Sequence, residues 1–323
     1  MLAALTAVAL SFNRVHVVVN PASGGNVGLE TLESVVLPAL AAQNIDATVL
    51  RTEYAGHARE YAASVDLLDA FVAIGGDGTA HEIANGMLAR PEDARVPIGI
   101  VPAGSGNSWA CDLGLDDASS AVQAVCAGAT RRVDVMRVVD ASERVAYACN
   151  ICAWGLPAAV LTEANALRET FGTAQYDLAG LSIIAQGRSS FSGALEYTDA
   201  DGATTTRQLD DVSFVQAQVN ERMGKRVPFA PGALMDDGLV DIVLVTDASG
   251  PAIVASQALA QYMDGAHVQL PFVEVVRCQS FRVTPAAGGR DEARDVNLDG
   301  ELVASAAPFS AECLRRELEV IAS

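Results

Sequence analysis

Lysine is nearly absent from this chain of 323 residues, in which Lys225 stands against twenty arginines. The sequence contains no GxxxxGK[ST] motif, so the P-loop mechanism with its phosphate-binding lysine is excluded. Basic residues are scarce overall, since 21 Lys plus Arg face 40 Asp plus Glu and leave a net charge of −19. This charge repels phosphate polymers, which argues against nucleic acid as a partner.

Cysteine is also sparse, and the six residues present are far fewer than a small secreted disulfide scaffold needs. Cys149 and Cys152 form a CxxC motif within the apolar run VAYACNICAW, and no second CxxC or Cys/His pair accompanies it. We therefore predict a strand with buried thiols here, rather than metal or redox chemistry.

Long hydrophobic runs are lacking as well. The apolar stretch within residues 1–13 is too short to span a bilayer and has no basic residue before it. It is more typical of a helix or strand packed on the body than of a signal peptide. We expect a cytoplasmic protein whose contact with membranes is transient and peripheral, because its charge opposes anionic lipid surfaces.

The pattern of strands and helices changes once along the chain. From Arg14 to about Val138, short β-branched runs alternate with helical stretches, which predicts βαβ units around a parallel sheet. The second half has many short strands, among them FVEVVRC and SFRVTP, separated by turn sequences such as TDADG, which predicts an antiparallel sandwich. Two helical stretches, near Tyr176 to Gln186 and Pro251 to Met263, are predicted to interrupt it. We therefore predict an α/β fold with a Rossmann-like nucleotide-binding domain at 14–140 and a carboxy-terminal antiparallel β-sandwich domain at 141–307. The tail at 308–323 could join the first domain.

Three predicted strands end in glycine-rich loops that lead into helices: NPASGG at 20–25, GGDGT at 75–79 and PAGSGN at 102–107. In an open parallel sheet such loops share the carboxyl edge, where ligands bind. Glycine lets the backbone approach a ligand, and free N–H groups of the following helix favour phosphate. The three loops together predict a nucleotide site, with ordinary tight turns as the alternative. None contains GxGxxG, which argues against a dinucleotide hydride carrier.

Asp77 is unusual in a loop built to hold phosphate. A carboxylate repels that ligand unless a cation bridges the two, or unless it accepts a proton from an attacking hydroxyl. Both arrangements describe a kinase, in which the protein mainly positions the reactants and neutralises charge. A turn aspartate bonded to its own backbone is the alternative. Thr79 and Glu82 have a structural interpretation, because T-x-x-E at a helix start predicts a capping box.

Two acidic turn sequences lie in the second half. DVNLDGELV places Asp299 and Glu301 on either side of Gly300, which by itself predicts a hairpin. MDDG at 235–238 is predicted to be a turn as well.

The motifs NPASGG, AIGGDGTAHEIANGM and VPAGSGN, in this order and spacing, resemble the catalytic region of the diacylglycerol kinase and sphingosine kinase family. The resemblance continues through AWG, LRETFGTAQYDLAGL, FAPGALMDDGLVDIV, LPFVEVVRCQSFRVTP and NLDGELV, and so covers nearly the whole chain. GSGN, the Trp of AWG and the segment PFVEVVRCQSFRVTP are most like sphingosine kinases.

The resemblance implies a β-sandwich that holds the lipid, catalysis in the cleft between the domains, and ATP and Mg²⁺ as cofactors. It implies that Asp77 is the base on the lipid hydroxyl, and that Asp299 and Glu301 lie near the magnesium and the γ-phosphate. The nucleotide-binding residues that it implies are Asn20, Ser23, Gly24, Gly76, Gly78, Thr79, Gly104, Ser105, Gly106, Asn107, Arg168, Gly300 and Glu301. An arginine fork at Arg168 would suit phosphate oxygens and agrees with the scarcity of lysine, while a helix-surface residue is the alternative.

The acceptor lipid is the open point of this interpretation. Sphingosine kinases carry an acidic residue shortly after the glycine of AWG, but Ala159 and Leu161 stand there, with Glu163 as the nearest carboxylate. Gln175 replaces an arginine of sphingosine and ceramide kinases, and FGTAQYDLAGL also resembles bacterial diacylglycerol kinases. We predict an ATP-dependent kinase acting on the primary hydroxyl of a sphingoid base, with diacylglycerol kinase as the alternative. A non-catalytic lipid- or nucleotide-binding relative is the alternative from another class.

Overall fold

The computed structural model describes residues 8–171, 175–187, 189–224, 226–246, 249–288 and 295–322. The chain forms two compact units. The first unit contains the residues up to Val133, the short segment around Arg226 and the residues from Arg316 onward. The second unit contains Asp134–Met223 and Val227–Arg315. No helix in the described part of the chain is both long and apolar enough to cross a membrane.

Strands are numbered β1 to β18 and α-helices α1 to α9 in chain order. The strands are β1 Val8–Ala9, β2 Arg14–Val19, β3 Asp46–Arg51, β4 Ala70–Gly75, β5 Ile98–Pro102, β6 Ala129–Val139, β7 Val145–Ala148, β8 Ile151–Gly155, β9 Phe191–Asp199, β10 Thr204–Val212, β11 Phe214–Gln218, β12 Arg222–Met223, β13 Val227–Pro228, β14 Val240–Val245, β15 Val273–Pro285, β16 Val296–Leu298, β17 Glu301–Val303 and β18 Phe309–Ile321. The helices are α1 Val27–Thr31, α2 Leu37–Ala42, α3 His57–Ser64, α4 Asp77–Leu88, α5 Ser108–Asp112, α6 Ala118–Ala127, α7 Leu156–Phe171, α8 Gln175–Ala185 and α9 Gly250–Tyr262.

Parallel strands form the centre of the first unit, in the order β3-β2-β4-β5, and the end of β18 lies parallel to β5. Every residue of β4 is buried, as expected for a continuous apolar strand covered on both faces. The chain steps from β2 to β3 on one side and then crosses to β4 on the other, which creates a topological switch point between β2 and β4. The predicted parallel sheet is confirmed.

The helical run predicted after β2 is present but irregular. Its middle, Leu32–Val36, is π-helical and joins α1 to α2. Leu32, Val36 and Leu40 are buried at i, i+4 and i+8, so one stripe of the run faces the sheet. At the chain start, residues 1–7 lie outside the described residues, and β1 pairs antiparallel with β6.

The capping box predicted for Thr79 and Glu82 is wrong. Helix α4 begins at Asp77 with Gly76 as N-cap, so Thr79 already lies inside the first turn. The Glu82 carboxylate instead accepts hydrogen bonds from the backbone N–H groups of Gly56 at 2.8 Å and Ala58 at 3.1 Å. Glu82 therefore caps the start of α3, and a local motif could not reveal this long-range contact.

Replacement of this cap gives a test of the fold alone. We expect Glu82→Ala to lower the free energy of unfolding by about 1 kcal/mol, because two N–H groups at the start of α3 lose their acceptor. Urea unfolding at neutral pH would measure the change. Gln123→Ala, an exposed substitution on α6, is the control and should change the free energy by less than about 0.5 kcal/mol. Equal stability of Glu82→Ala and the wild type would contradict the capping role.

The second unit is built from antiparallel strands, in the order β17-β16-β8-β11-β14-β15, and β15 also pairs with β9, which pairs with β10. The predicted antiparallel architecture is confirmed. The two segments predicted as separate strands around Gln279 form one strand, β15, whose pairing with β9 shifts register between Cys278 and Ser280. Helices α8 and α9 lie where helical stretches are predicted, whereas α7 is additional; its Ala- and Leu-rich run favours a helix.

The core of the second unit holds large apolar side chains from several strands. Trp154 and Phe191 pack edge-on with ring centroids 5.8 Å apart, and Phe281 and Phe309 do so at 5.9 Å. All four side chains are almost fully buried. The free energy gained by burying these four aromatic side chains outweighs the weak local preference of their segments for strand structure.

Candidate active site

The three glycine-rich loops of the first unit meet at the carboxyl edge of its sheet. The backbone N–H of Asn20, at the end of β2, donates to the carbonyl oxygen of Ile74 in β4 at 3.2 Å. The N–H of Ala103, just after β5, donates to the carbonyl oxygen of Gly75 at 2.8 Å. Neighbouring loops are thus joined directly, on both sides of β4. The edge that carries them includes the topological switch point, where open parallel sheets bind ligands.

Glycine is required where these loops touch. A Cβ atom on Gly104 would lie 2.4 Å from the Cα of Gly76. One on Gly24, whose φ is +57°, would lie 2.5 Å from the carbonyl oxygen of Ala103. Both distances are shorter than van der Waals contact allows, so packing between the loops explains these two glycines. By contrast, a Cβ on Gly78 would meet nothing within 4 Å, so that backbone is open to a ligand.

Asparagine side chains shape the first and third loops. The side-chain oxygen of Asn20 accepts a hydrogen bond from the N–H of Ala22 at 2.9 Å. Asn107, at φ +55°, accepts from the N–H of Gly104 at 3.0 Å and donates to its carbonyl oxygen at 2.7 Å. Ser105, between them, is exposed, while Ser23 and Gly106 are partly exposed. These side-chain hydrogen bonds of Asn20 and Asn107 stay within their own loops and hold each loop in a fixed shape.

Asp77 connects the second loop to the third. It is the first residue of α4, and its carboxylate accepts hydrogen bonds from the backbone N–H groups of Ser108 at 3.2 Å and Trp109 at 3.0 Å. These groups belong to α5, so the Asp77 carboxylate binds a segment outside its own loop. The expectation that the helix after the third loop offers free N–H groups to phosphate needs correction, because Asp77 takes two of them. A carboxylate held by two donors has a fixed orientation, as a positioned proton acceptor needs.

A break in the second unit surrounds Asp299. The run predicted as one strand, VAYACNICA, divides into β7 and β8, and Cys149 and Asn150 lie between them in a bend. The Asp299 carboxylate accepts hydrogen bonds from three successive N–H groups: Cys149 at 2.7 Å, Asn150 at 2.9 Å and Ile151 at 2.7 Å. An anion therefore compensates the amides that the missing strand pairing leaves open.

Both thiols of the CxxC motif are buried, as predicted. Burial, and secondarily the negative charge of Asp299, raises the pKa of Cys149 and of Cys152 well above the ordinary thiol value. The thiols therefore stay protonated at neutral pH, which is the form that neither attacks disulfides nor binds metals.

Asp299 and Gly300 form a two-residue hairpin turn between β16 and β17, as predicted. Leu298 pairs with Glu301, and φ is +52° at Asp299 and +92° at Gly300, which is the type I′ geometry. The side-chain oxygen of Asn297 accepts a hydrogen bond from the N–H of Gly300 at 2.8 Å and closes the turn. Glu301 is exposed.

These two carboxylates fit a magnesium ion unequally. No group of three or more His, Cys, Asp or Glu side chains arranged for a metal occurs in the described ranges. Oδ1 of Asp299 accepts from the N–H groups of Asn150 and Ile151, and Oδ2 accepts from that of Cys149, so backbone amides engage both oxygens. Glu301, on the exposed side of the turn, is better suited to an ion that keeps several waters and takes one or two carboxylates.

The MDDG segment forms a turn, as predicted. The Asp237 carboxylate accepts a hydrogen bond from the N–H of Leu239 at 3.0 Å. The Arg277 guanidinium forms ion pairs with Asp237 and, at 3.1 Å, with Asp241. Burial raises the pKa of Asp241 to about 6 despite this pairing. An arginine therefore supplies the positive charge for the carboxylates of this turn.

Residues predicted to choose the lipid lie on α7 and α8. Ala159 and Leu161 are apolar and their side chains are buried, so neither position supplies the carboxylate that sphingosine kinases carry there. Glu163, four residues after Ala159, is partly buried and accepts a hydrogen bond from the Ser182 hydroxyl at 3.2 Å. The side chains of Arg168 and Gln175 lie outside the described residues.

Backbone amides are what sequence reasoning missed. The N–H groups of 108–109 bind Asp77 and those of 149–151 bind Asp299, and every residue except proline carries the same N–H group. The only available signal was the aspartates themselves, placed in turns beside glycine.

Comparison with known proteins assigns both halves of the chain. Residues 14–138 match the diacylglycerol kinase catalytic domain, and residues 150–322 match the YegS C-terminal NAD kinase beta sandwich-like domain. Sphingosine kinase 1 of Arabidopsis thaliana is 28% identical over 89% of this chain and 68% of its own length. Diacylglycerol kinase of Bacillus subtilis is 26% identical over 89% of each chain. A crystal structure of a putative diacylglycerol kinase from Bacillus anthracis superposes with a TM-score of 0.73 at 22% identity over 98% of each chain, which shows a shared fold.

Proposed function

The chain belongs to the diacylglycerol kinase and sphingosine kinase family of lipid kinases, and from this premise we propose that its acceptor is a sphingoid long-chain base. As a lipid kinase it uses ATP to phosphorylate a lipid substrate. The proposed reaction transfers the γ-phosphate to the primary hydroxyl of the base.

Asp77 is the observation that carries the proposed mechanism. Its carboxylate stands at the carboxyl edge of a parallel sheet, between glycine loops, with its orientation set by the N–H groups of Ser108 and Trp109. We assign it as the general base that accepts the proton of the attacking lipid hydroxyl. The new O–P bond forms as the bond between the γ-phosphorus and the bridging oxygen breaks, and ADP leaves.

Nucleotide binding is proposed for the loops around Asp77. Open backbone at Gly78 and exposed polar groups such as Ser105 support this proposal. The proposed nucleotide-binding residues of the first unit are Asn20, Ser23, Gly24, Gly76, Gly78, Thr79, Gly104, Ser105, Gly106 and Asn107. Of these, Thr79 is buried and Gly24 and Gly104 pack between loops, so they act by shaping the site. Arg168 remains a proposed phosphate ligand.

Magnesium is proposed to bind at the Asp299–Gly300–Glu301 turn. A bound Mg²⁺ would neutralise charge on the transferred phosphoryl group. We assign Glu301 as the principal ligand because its side chain is exposed, and Asp299 as the residue that also holds the turn in place. Gly300 gives the phosphate access to the turn, since a Cβ there would meet nothing within 4 Å.

The two candidate lipids are supported by different observations. Similarity to sphingosine kinases over most of the chain and the partly buried Glu163, which could meet an ammonium group, favour a sphingoid base. Diacylglycerol is the second candidate, because Ala159 and Leu161 are apolar and buried and bacterial diacylglycerol kinases match 89% of the chain. Exposed leucines on α8, Leu178 and Leu181, would suit transient membrane contact in either case.

A substrate panel tests the proposal. Labelled γ-phosphate from Mg·ATP is offered together with sphingosine, diacylglycerol and ceramide in the same mixed micelles, and the products are separated. We expect label chiefly on sphingosine. Label chiefly on diacylglycerol would reject the sphingoid assignment and support the second candidate. Glu163→Gln, with Ser182 left intact, should reduce labelling of sphingosine but not that of diacylglycerol, since only sphingosine carries an ammonium group.

A further inference from the structure

A chain of buried amide side chains runs along one face of β11 in the second unit. Gln216 and Gln218, on one face of β11, and Asn220, two residues beyond its end, are each at most 1% exposed. The Gln216 amide donates to the Gln218 side-chain oxygen at 2.9 Å, and Gln218 donates to the carbonyl oxygen of Asn220 at 3.0 Å. The chain of hydrogen bonds therefore proceeds toward Asn220.

The bonds reach the backbone of Asn220 but not its side-chain amide. Neither Nδ2 nor Oδ1 of Asn220 has a hydrogen-bond partner among the described residues, although the side chain is completely buried. Buried amides are normally satisfied, and an unmet donor together with an unmet acceptor at one side chain is costly. Such a group indicates a place for a polar ligand.

The pairing of β11 with β8 locates this place. Gln218 pairs with Ile151 at the end of the ladder, and just beyond it the N–H of Val219 donates to the carbonyl oxygen of Asn150 at 3.3 Å. The N–H of Asn150 is in turn one of the three that bind Asp299. Asn220 therefore directly follows a residue that is hydrogen-bonded to the bend held by Asp299.

The chemistry of the unmet atoms selects the ligand. Nδ2 needs an acceptor and Oδ1 needs a donor, and a hydroxyl group satisfies both at once. A phosphate or carboxylate only accepts and would be repelled by Asp299, while an ammonium group only donates. We propose that Asn220 binds a hydroxyl group of the acceptor lipid, an inference that rests on the proposed lipid kinase function and holds for a sphingoid base or a diacylglycerol.

Kinetics with substituted proteins test this site. Asn220→Leu keeps the branching at Cγ but replaces both polar atoms with larger methyl groups, so KM for the lipid should rise about tenfold while KM for ATP stays unchanged. The heat stability of the same variant without lipid is measured beside it, because removal of the unmet amide raises stability and the added volume lowers it. Stabilisation of the wild type by added sphinganine should be lost in the variant.

Val219→Ala is the matched control. Val219 is buried next to Asn220 and packs in the apolar core of the second unit, so its truncation should lower heat stability and leave KM for the lipid within about twofold. Should Asn220→Leu fail to fold, the smaller Asn220→Ala, which also lacks both polar atoms, serves in its place.

The outcomes separate this inference from the proposed function. If the wild type phosphorylates sphinganine or dioctanoylglycerol and KM for that lipid is unchanged in the Asn220 variants, a structural water fills the site and the inference is overturned. If the wild type labels neither lipid, the proposed function itself fails and the inference fails with it.

Discussion

Replacement of Asp77 by asparagine should reduce kcat by roughly 10² to 10⁴, the usual contribution of a general base. The amide keeps the size of the side chain and one acceptor oxygen, so the hydrogen bond to either Ser108 or Trp109 can persist. Binding of ATP, measured by calorimetry, should change little. The rate is measured with saturating lipid and ATP, well below the unfolding temperature.

Asp77 also ties two loops together, so the control must separate chemistry from stability. Asp93→Asn, an exposed change of the same kind in the same unit, should leave both kcat and heat stability unchanged. The base assignment requires that kcat of Asp77→Asn falls far more than its folded fraction does. A loss of rate that only follows a loss of folded protein would show that Asp77 has a purely structural role.

Removal of the Asp299 carboxylate should be the most destabilising single change at the site. In Asp299→Ala the N–H groups of Cys149, Asn150 and Ile151 lose their acceptor together. Each buried donor left unsatisfied costs about 1–3 kcal/mol, and water can recover part of the loss at this half-buried turn. We expect the free energy of unfolding to fall by about 3–5 kcal/mol, measured by urea unfolding.

Glu301→Gln provides the contrast at the opposite end of the same turn. Glu301 is exposed, so the substitution should change stability by less than about 0.5 kcal/mol while lowering the phosphorylation rate and raising the magnesium concentration needed. Unchanged stability of Asp299→Ala would contradict the anchoring role. An unchanged magnesium requirement of Glu301→Gln would contradict its role as ligand.

Much of the architecture follows from patterns that are local in the chain. Continuous apolar runs such as FVAI predict strands buried on both faces, and β4 is buried throughout because helices cover both sides of a parallel sheet. The dipeptide Asp299–Gly300 predicts its own hairpin, since a type I′ turn needs positive φ at both positions. These predictions succeed because the determining interactions lie within a few residues.

Local patterns fail where a side chain acts at a distance. Glu82 has the spacing of a capping box with Thr79 but caps α3, which lies 24 to 26 residues earlier in the chain. The apolar run around Cys149 has the composition of one strand, but a carboxylate about 150 residues away binds its amides and divides it. In both cases tertiary contact overrides a weak local preference.

The sequence by itself determined the two-part architecture, the glycine loops at strand ends and the acidic residues among them, because hydrophobic periodicity and turn chemistry act over short stretches of chain. Only the tertiary structure decided which backbone amides meet Asp77 and Asp299, and that the Asn220 side chain is buried with no hydrogen-bond partner among the residues that the structure describes. A backbone N–H group is the same in almost every residue, so its partner depends on which segments the fold brings together. Burial likewise belongs to the packed structure, since it exists only when distant strands and helices have excluded water.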